Sequence, residues 1–189
     1  MLRLTGGVYR GRTLITPSHD RTRPTQAKLR QALFNSLQSR LPESCVLDLF
    51  SGSGALGFEA ISRGASQVVF VESSKSVAKL IQQNAETLKV QNQVKIFGES
   101  VDTALKRLPT LGPFDLVFAD PPYEDGWEMK LLNSWPWQEL LAQNGCLCLE
   151  WGLKKSQVTT LPDKTPILVK IREKNYGDSV LTTYQRCDE

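Results

Sequence analysis

A chain of 189 residues, 40% hydrophobic and 23% charged, suits one globular domain of ordinary size built around a single core. No apolar run reaches the roughly 20 residues of a membrane span, and the opening MLRLTGGVYR lacks the apolar centre of a secretory signal, so neither a membrane protein nor a secreted one is expected. The net charge of +3 hides an asymmetry: residues 1–40 hold eight Lys or Arg against the one acid Asp20, while the remainder holds fifteen basic and nineteen acidic residues. A basic N-terminal segment on a mildly acidic body points to a polyanion such as nucleic acid, with a merely solvated arm as the plainer alternative.

Residues 1–24 read as irregular or hairpin-like, broken by Gly6, Gly7 and Gly11 and punctuated by Pro17 and Pro24. Thr25 is then expected to cap a helix, TQAKLRQALFNSLQSRL, with Leu29, Leu33, Phe34 and Leu37 on one apolar face. From residue 45 the pattern alternates. Strands are expected at 45–50, 67–72, 94–97, 114–120 and 145–151, and helices near 55–63, 74–89, 100–107 and 127–142, the last with Pro136 starting or kinking a segment. PILVKIRE (166–173) and SVLTTYQR (179–186), joined by KNYGD, read as a closing hairpin. The fold class that follows is α/β: a mainly parallel sheet with helices on both faces and an antiparallel end. The basic segment and helix at 1–40 and the alternating region at 41–189 are expected to form one compact unit. The four cysteines make no C-x-x-C pair; Cys146 and Cys148 alternate on one strand face and read as buried reduced thiols, which points to the cytoplasm and to no metal.

Ligands of such sheets bind outside the carboxyl ends of the strands. VLDLFSGSGALGFEA sets Gly52, Gly54 and Gly57 between a strand and a helix, where the backbone turns sharply and approaches a ligand closely. Glu72 ends the next strand, where a carboxylate can take both hydroxyls of a ribose. The glycine spacing alone suits a dinucleotide equally well. Asp48 shifts the balance, because a carboxylate before the turn repels a pyrophosphate but attracts an ammonium or sulfonium group. S-adenosylmethionine has those positive groups and the ribose.

FDLVFADPPY ends a strand in Asp120, Pro121, Pro122 and Tyr123. An amine on an aromatic base is a poor nucleophile, since its lone pair is delocalised into the ring. Acceptors on both amine hydrogens, the Asp120 carboxylate and the Pro121 carbonyl, would hold it closer to tetrahedral. Pro122 stiffens the turn, and Tyr123 offers a face for an extruded base, worth roughly 1–3 kcal/mol in nucleic-acid systems. A rigid strand exit is the plainer reading of the same four residues.

DLFSGSGALG with DPPY resembles the class I S-adenosylmethionine-dependent N-methyltransferases, with their Rossmann-like, seven-stranded, mostly parallel sheet. GGVYRGRTLITP, RPTQAKLRQALFNSL and the late EKNYGDSVLTTY extend the match over essentially the whole chain, which resembles the RsmD-like family of bacterial 16S rRNA (guanine-N2) methyltransferases. The resemblance implies methylation of the exocyclic N2 amine of one guanine in a 16S rRNA loop near the P-site, on assembled or nearly assembled small-subunit particles. It carries the cofactor role to Asp48, Gly52, Ser53, Gly54 and Glu72, and the catalytic motif to Asp120, Pro121, Pro122 and Tyr123. Arg10, Arg12, Arg23 and Thr25, with Lys28 and Arg30 beside them, are the implied RNA contacts. The family usually has Asp-Ala or Asn-Ala after the third strand of the alternating region; this chain reads Gly98-Glu99-Ser100, and Glu99 with Ser100 is assigned the adenine contact. An N6-adenine or protein-glutamine methyltransferase, or a non-catalytic RNA-binding assembly factor, would carry the same motifs. A monomer is expected.

Overall fold

The computed structural model describes residues 2–17, 24–122, 126–152 and 160–187. The chain opens with β1 (Leu2–Arg3) and β2 (Thr13–Leu14), an antiparallel pair with Leu2 opposite Leu14. Helix α1 (Pro24–Ser36) follows. Pro24 is its first residue, so Thr25 lies inside the helix and does not cap it. Proline suits the first helical position because its fixed φ matches the helix and its missing N–H would have had no intrahelical partner. Leu29, Leu33, Phe34 and Leu37 are all buried, as their spacing requires.

The main sheet comprises β3 (Cys45–Leu49), β4 (Gln67–Val71), β5 (Val94–Phe97), β6 (Phe114–Ala119), β7 (Leu141–Gly152), β8 (Leu168–Tyr176) and β9 (Ser179–Arg186). Their order is β5-β4-β3-β6-β7-β9-β8. The first five are parallel, and β9 pairs antiparallel with both β7 and β8. The chain winds outward from β3 to β5, then returns to β6 on the other side of β3. This reversal puts the topological switch point between β3 and β6.

Strand alternation sorts side chains between two cores. Val46, Val68, Phe70, Leu116, Phe118, Cys146 and Cys148 face α1, α2 (Ala55–Ser62) and α3 (Lys75–Leu88). Leu47, Leu49, Val69, Val71, Val117, Ala119, Leu147 and Leu149 face α4 (Val101–Ala104), α5 (Trp127–Ser134) and α6 (Trp137–Leu140). The hairpin and α1 share the first core: Leu2, Leu4 and Leu14 pack in it, and the Phe34 ring lies 5.3 Å from that of Phe118. Burying one such ring stabilises by about 1.5–3 kcal/mol.

Several elements depart from their sequence expectation. The helix expected over 100–107 is one α turn, followed by a 3-10 turn at Leu108–Thr110, because Pro109 has no N–H with which to continue the ladder. The helix expected over 127–142 divides into α5 and α6 around Pro136, and Leu141 already belongs to β7. β7 therefore starts four residues before 145, with an irregularity in its pairing between Phe114 and Leu116 and with Asn144 at φ 62°. β8 runs to Tyr176, three residues beyond 173, because its pairing with β9 continues to the turn.

Candidate active site

Alternation that sorts the core also assembles the site. Asp48, Phe118 and Cys148 point to the α1/α2 face of the sheet, and two residues further along the last two strands come Asp120 and Glu150. A cavity at this end of the sheet is lined by Asp48, Phe50, Gly52, Ser53, Asp120 and Glu150. Leu2, Leu29 and Arg30 close it from the side of the hairpin and α1. Glycine turn, strand-end carboxylate and N-terminal region thus meet at the switch point.

The glycine turn is built by specific contacts. Phe50, Gly52 and Gly54 have φ of 56°, 52° and 78°, a left-handed conformation that costs glycine nothing but strains Phe50. The Phe50 ring meets Trp127 edge-on at 4.9 Å, which anchors the strained residue. Among the described residues, no atom beyond its chain neighbours lies within 4 Å of where a side chain on Gly52 would start, so the backbone is open there to a ligand. Gly57 serves packing instead: a Cβ would sit 2.2 Å from the Phe70 ring, and glycine lets α2 lie close against β4. Glu72, half-buried beyond β4, accepts Gly52 N–H at 2.9 Å and Ser74 N–H at 2.8 Å, clamping the turn to the neighbouring strand.

Asp48 is 1% exposed and accepts Gly57 N–H at 2.9 Å. Burial pushes its carboxyl up to about 8; the Gly57 hydrogen bond opposes the shift and the Glu72 charge adds to it. Burial thus favours the neutral form of this carboxyl in the cofactor-free protein. The open face over Gly52, the Ser53 beside it and a desolvated carboxyl facing the same cavity fit the amino-acid and ribose parts of S-adenosylmethionine.

The other predicted residues fall in different places. Asp120 is half-buried in the cavity wall, Pro121 is buried and Pro122 exposed, while Tyr123 and Arg23 lie outside the described residues. Glu99, beyond β5, forms an ion pair with Arg107, whose guanidinium lies 4.4 Å from the Phe97 ring centre. Ser100 caps α4, accepting Thr103 N–H at 3.3 Å. Neither Glu99 nor Ser100 lines the cavity. Arg10, Arg12 and Lys28 are exposed, and the side chain of Thr25 lies outside the described residues.

Arg30 is not a surface cation. It is 6% exposed, donates to the Arg3 carbonyl at 3.0 Å and lies 3.8 Å from Glu59. Glu59, fully buried in α2, also accepts from Thr5 N–H at 2.8 Å, the Thr5 hydroxyl at 2.7 Å and Arg63 Nε at 2.8 Å. This cluster fastens hairpin and α1 to the body, helped by Val8 N–H donating to the Ser62 carbonyl at 2.7 Å. At the far end of α2 a polar groove runs between hairpin and α1, lined by Thr5, Arg10, Gln31, Asn35, Gln38 and Arg63.

Sequence reasoning missed Glu150, Phe50 and Glu59. Only Glu150 carried a usable signal, an acid closing an apolar strand as Glu72 and Asp120 do.

Comparison with known proteins fits this arrangement. The model of the family described as Conserved hypothetical protein 95 matches residues 2–185. Ribosomal RNA small subunit methyltransferase D of Haemophilus influenzae is 34% identical, covering 90% of this chain and 92% of its own length. The protein of the same name from Escherichia coli K12 is also 34% identical, covering 98% of this chain and 90% of its own. The chain belongs to this family. The solved yhhF structure from Escherichia coli superposes with a TM-score of 0.84 at 31% identity, covering 100% of this chain and 99% of the other. The family match spans β1 to β9, so the hairpin and α1 belong to it together with the methyltransferase-like sheet.

Proposed function

We propose that this chain is an S-adenosylmethionine-dependent methyltransferase of ribosomal RNA that acts on the exocyclic N2 amine of a guanine in a 16S rRNA loop near the P-site. The products are N2-methylguanosine and S-adenosylhomocysteine. One observation carries the reading: a single cavity joins Asp48 and the glycine turn to Asp120 and is closed by the N-terminal region. The names of the family relatives support ribosomal RNA as the substrate class.

S-adenosylmethionine, when bound, supplies an electrophilic methyl group on a sulfonium. Asp48, Gly52, Ser53, Gly54 and Glu72 would hold it, Glu72 while keeping the turn in shape through Gly52 N–H. Asp120 and the Pro121 carbonyl accept the two amine hydrogens of the target base, so that the nitrogen lone pair is released from the ring and aimed. The amine proton becomes acidic as the nitrogen gains its methyl group and leaves through the Asp120 carboxylate, so no stronger base is needed. Catalysis is then mainly orientation and charge placement. A base must leave its stack to reach such a cavity, which suits a loop nucleotide.

The test is to incubate the protein with labelled cofactor and unmodified small-subunit particles, with free 16S RNA and DNA alongside, then digest and identify the methylated nucleoside. N2-methylguanosine from RNA or particles is expected. N6-methyladenosine, or label in protein, would overturn the substrate assignment.

A further inference from the structure

An acid–proline turn holds an amine, but it does not tell guanine from adenine, since both bases carry one. The distinction lies beside the amine. In guanine the N2 amine adjoins N1–H, a second donor; in adenine the N6 amine adjoins N1 as a bare acceptor. A site that selects guanine therefore needs a second acceptor next to the one that takes the amine.

Glu150 is in that position. β6 and β7 run parallel with Ala119 opposite Leu149, so Asp120 and Glu150 stand side by side one step beyond that pair. Neighbouring strands are about 5 Å apart, near enough for side chains at their ends to converge on adjacent groups of one base. Both residues line the same cavity, and Glu150 is 8% exposed. On the opposite side of β6, Asp48 belongs to the glycine turn and is engaged by Gly57 N–H. Glu150 lies on β7, on the side of β6 away from that turn.

We propose that Glu150 is the base-discriminating residue: it accepts N1–H of the target guanine while Asp120 and the Pro121 carbonyl hold its N2 amine. The inference rests on the reading of the cavity as an amine-methylating site and names what that site selects. Two carboxylates in a row match two donors in a row. Against adenine the second carboxylate would face the N1 lone pair, leaving a buried acceptor unpaired opposite another. Sites built to bond a substrate N–H reject analogues lacking it far more strongly than apolar pockets reject a missing methylene.

2-Aminopurine separates the two requirements, because it keeps the amine at C2 while its N1 is an acceptor. Wild-type protein is first used to identify the methylated nucleotide in small-subunit particles. Particles are then rebuilt on 16S RNA carrying either guanine or 2-aminopurine at that position, the latter introduced by ligating a synthetic oligonucleotide. Wild type is expected to prefer guanine by about 10²-fold or more in kcat/KM. Glu150→Gln, whose amide can face either a donor or an acceptor, should reduce that preference to within about fivefold and keep cofactor affinity within about threefold. Glu150→Ala serves as a second variant, and thermal melts show that both are folded. Equal use of the two bases by wild type, an unchanged preference in Glu150→Gln, or equal loss on both RNAs overturns the proposal. If the first step yields a nucleoside other than N2-methylguanosine, the underlying reading fails, and the inference with it.

Discussion

The two charged regions of the molecule are organised in opposite ways. At the carboxyl ends of the strands, Asp48 and Glu150 are buried and Asp120 half-buried around one cavity. In the N-terminal region Arg3, Arg10, Arg12 and Lys28 stand exposed, whereas Arg30 is drawn inside, against Glu59. Buried carboxylates can make directional bonds that water does not contest, which suits chemistry and base selection. Exposed arginines hold phosphates through charge that salt screens, which gives affinity without sequence. Glu59 joins the regions mechanically: α2 starts at the glycine turn and carries at its other end the cluster that fastens the hairpin.

Breaking that joint should have the largest effect. Glu59→Ala leaves Arg30 and Arg63 without their buried partner, and removing one member of a buried pair costs about 3–5 kcal/mol. Chemical denaturation should show a loss of that size with little change in m-value. A loss below about 1 kcal/mol would mean that the hairpin and α1 are held by their apolar contacts alone.

A smaller effect, over the two pH units from 6 to 8, should come from Asp48. Its carboxyl rises from an ordinary 3.8 to about 8 in the folded protein, so the folded state binds the proton more tightly than the unfolded state between those values. Stability of the cofactor-free protein should therefore fall as pH rises through that window and level off above about 8, by at most about 1.4 kcal/mol per pH unit. Asp48→Asn should flatten the profile between pH 6 and 8. A wild-type profile already flat there would show that the group ionises freely in its buried position.

The smallest effect concerns the exposed arm. Arg10→Ser with Arg12→Ser should weaken RNA binding by roughly tenfold at moderate salt and reduce the slope of log K against log salt by about 1.4–1.8, as two lost phosphate contacts require. An unchanged slope would remove both residues from the interface. Fold and cofactor affinity should stay as they are, since both side chains are exposed and line no part of the cavity.

The same contrast explains what was legible in the sequence. β5 and β9 lie where the apolar pattern puts them, because strand alternation is a local property. The glycine turn and Asp120 were visible as local motifs whose position follows from the strand-end rule. β7 was read short because Leu141 and Ala142 look as helical as the residues before them, and only pairing with β6 decides their state. Arg30 and Glu59 are 29 positions apart, and no local pattern announces that they meet. Glu150 enters the site only because β7 is the neighbour of β6, a fact of topology. Motifs reported the chemistry, whereas tertiary pairing decided which charges were withdrawn from solvent.

The central claim is that one cavity holds a methyl donor on its glycine-turn side and a target amine at Asp120. The most direct test is Asp120→Ala, comparing the equilibrium binding of S-adenosylmethionine with kcat for methyl transfer to small-subunit particles. Methyl transfer should fall by at least about 10³-fold, as expected when a group acting at the reacting atoms is removed, while the cofactor dissociation constant stays within about threefold. Parallel loss of both, or retention of transfer, would contradict the account.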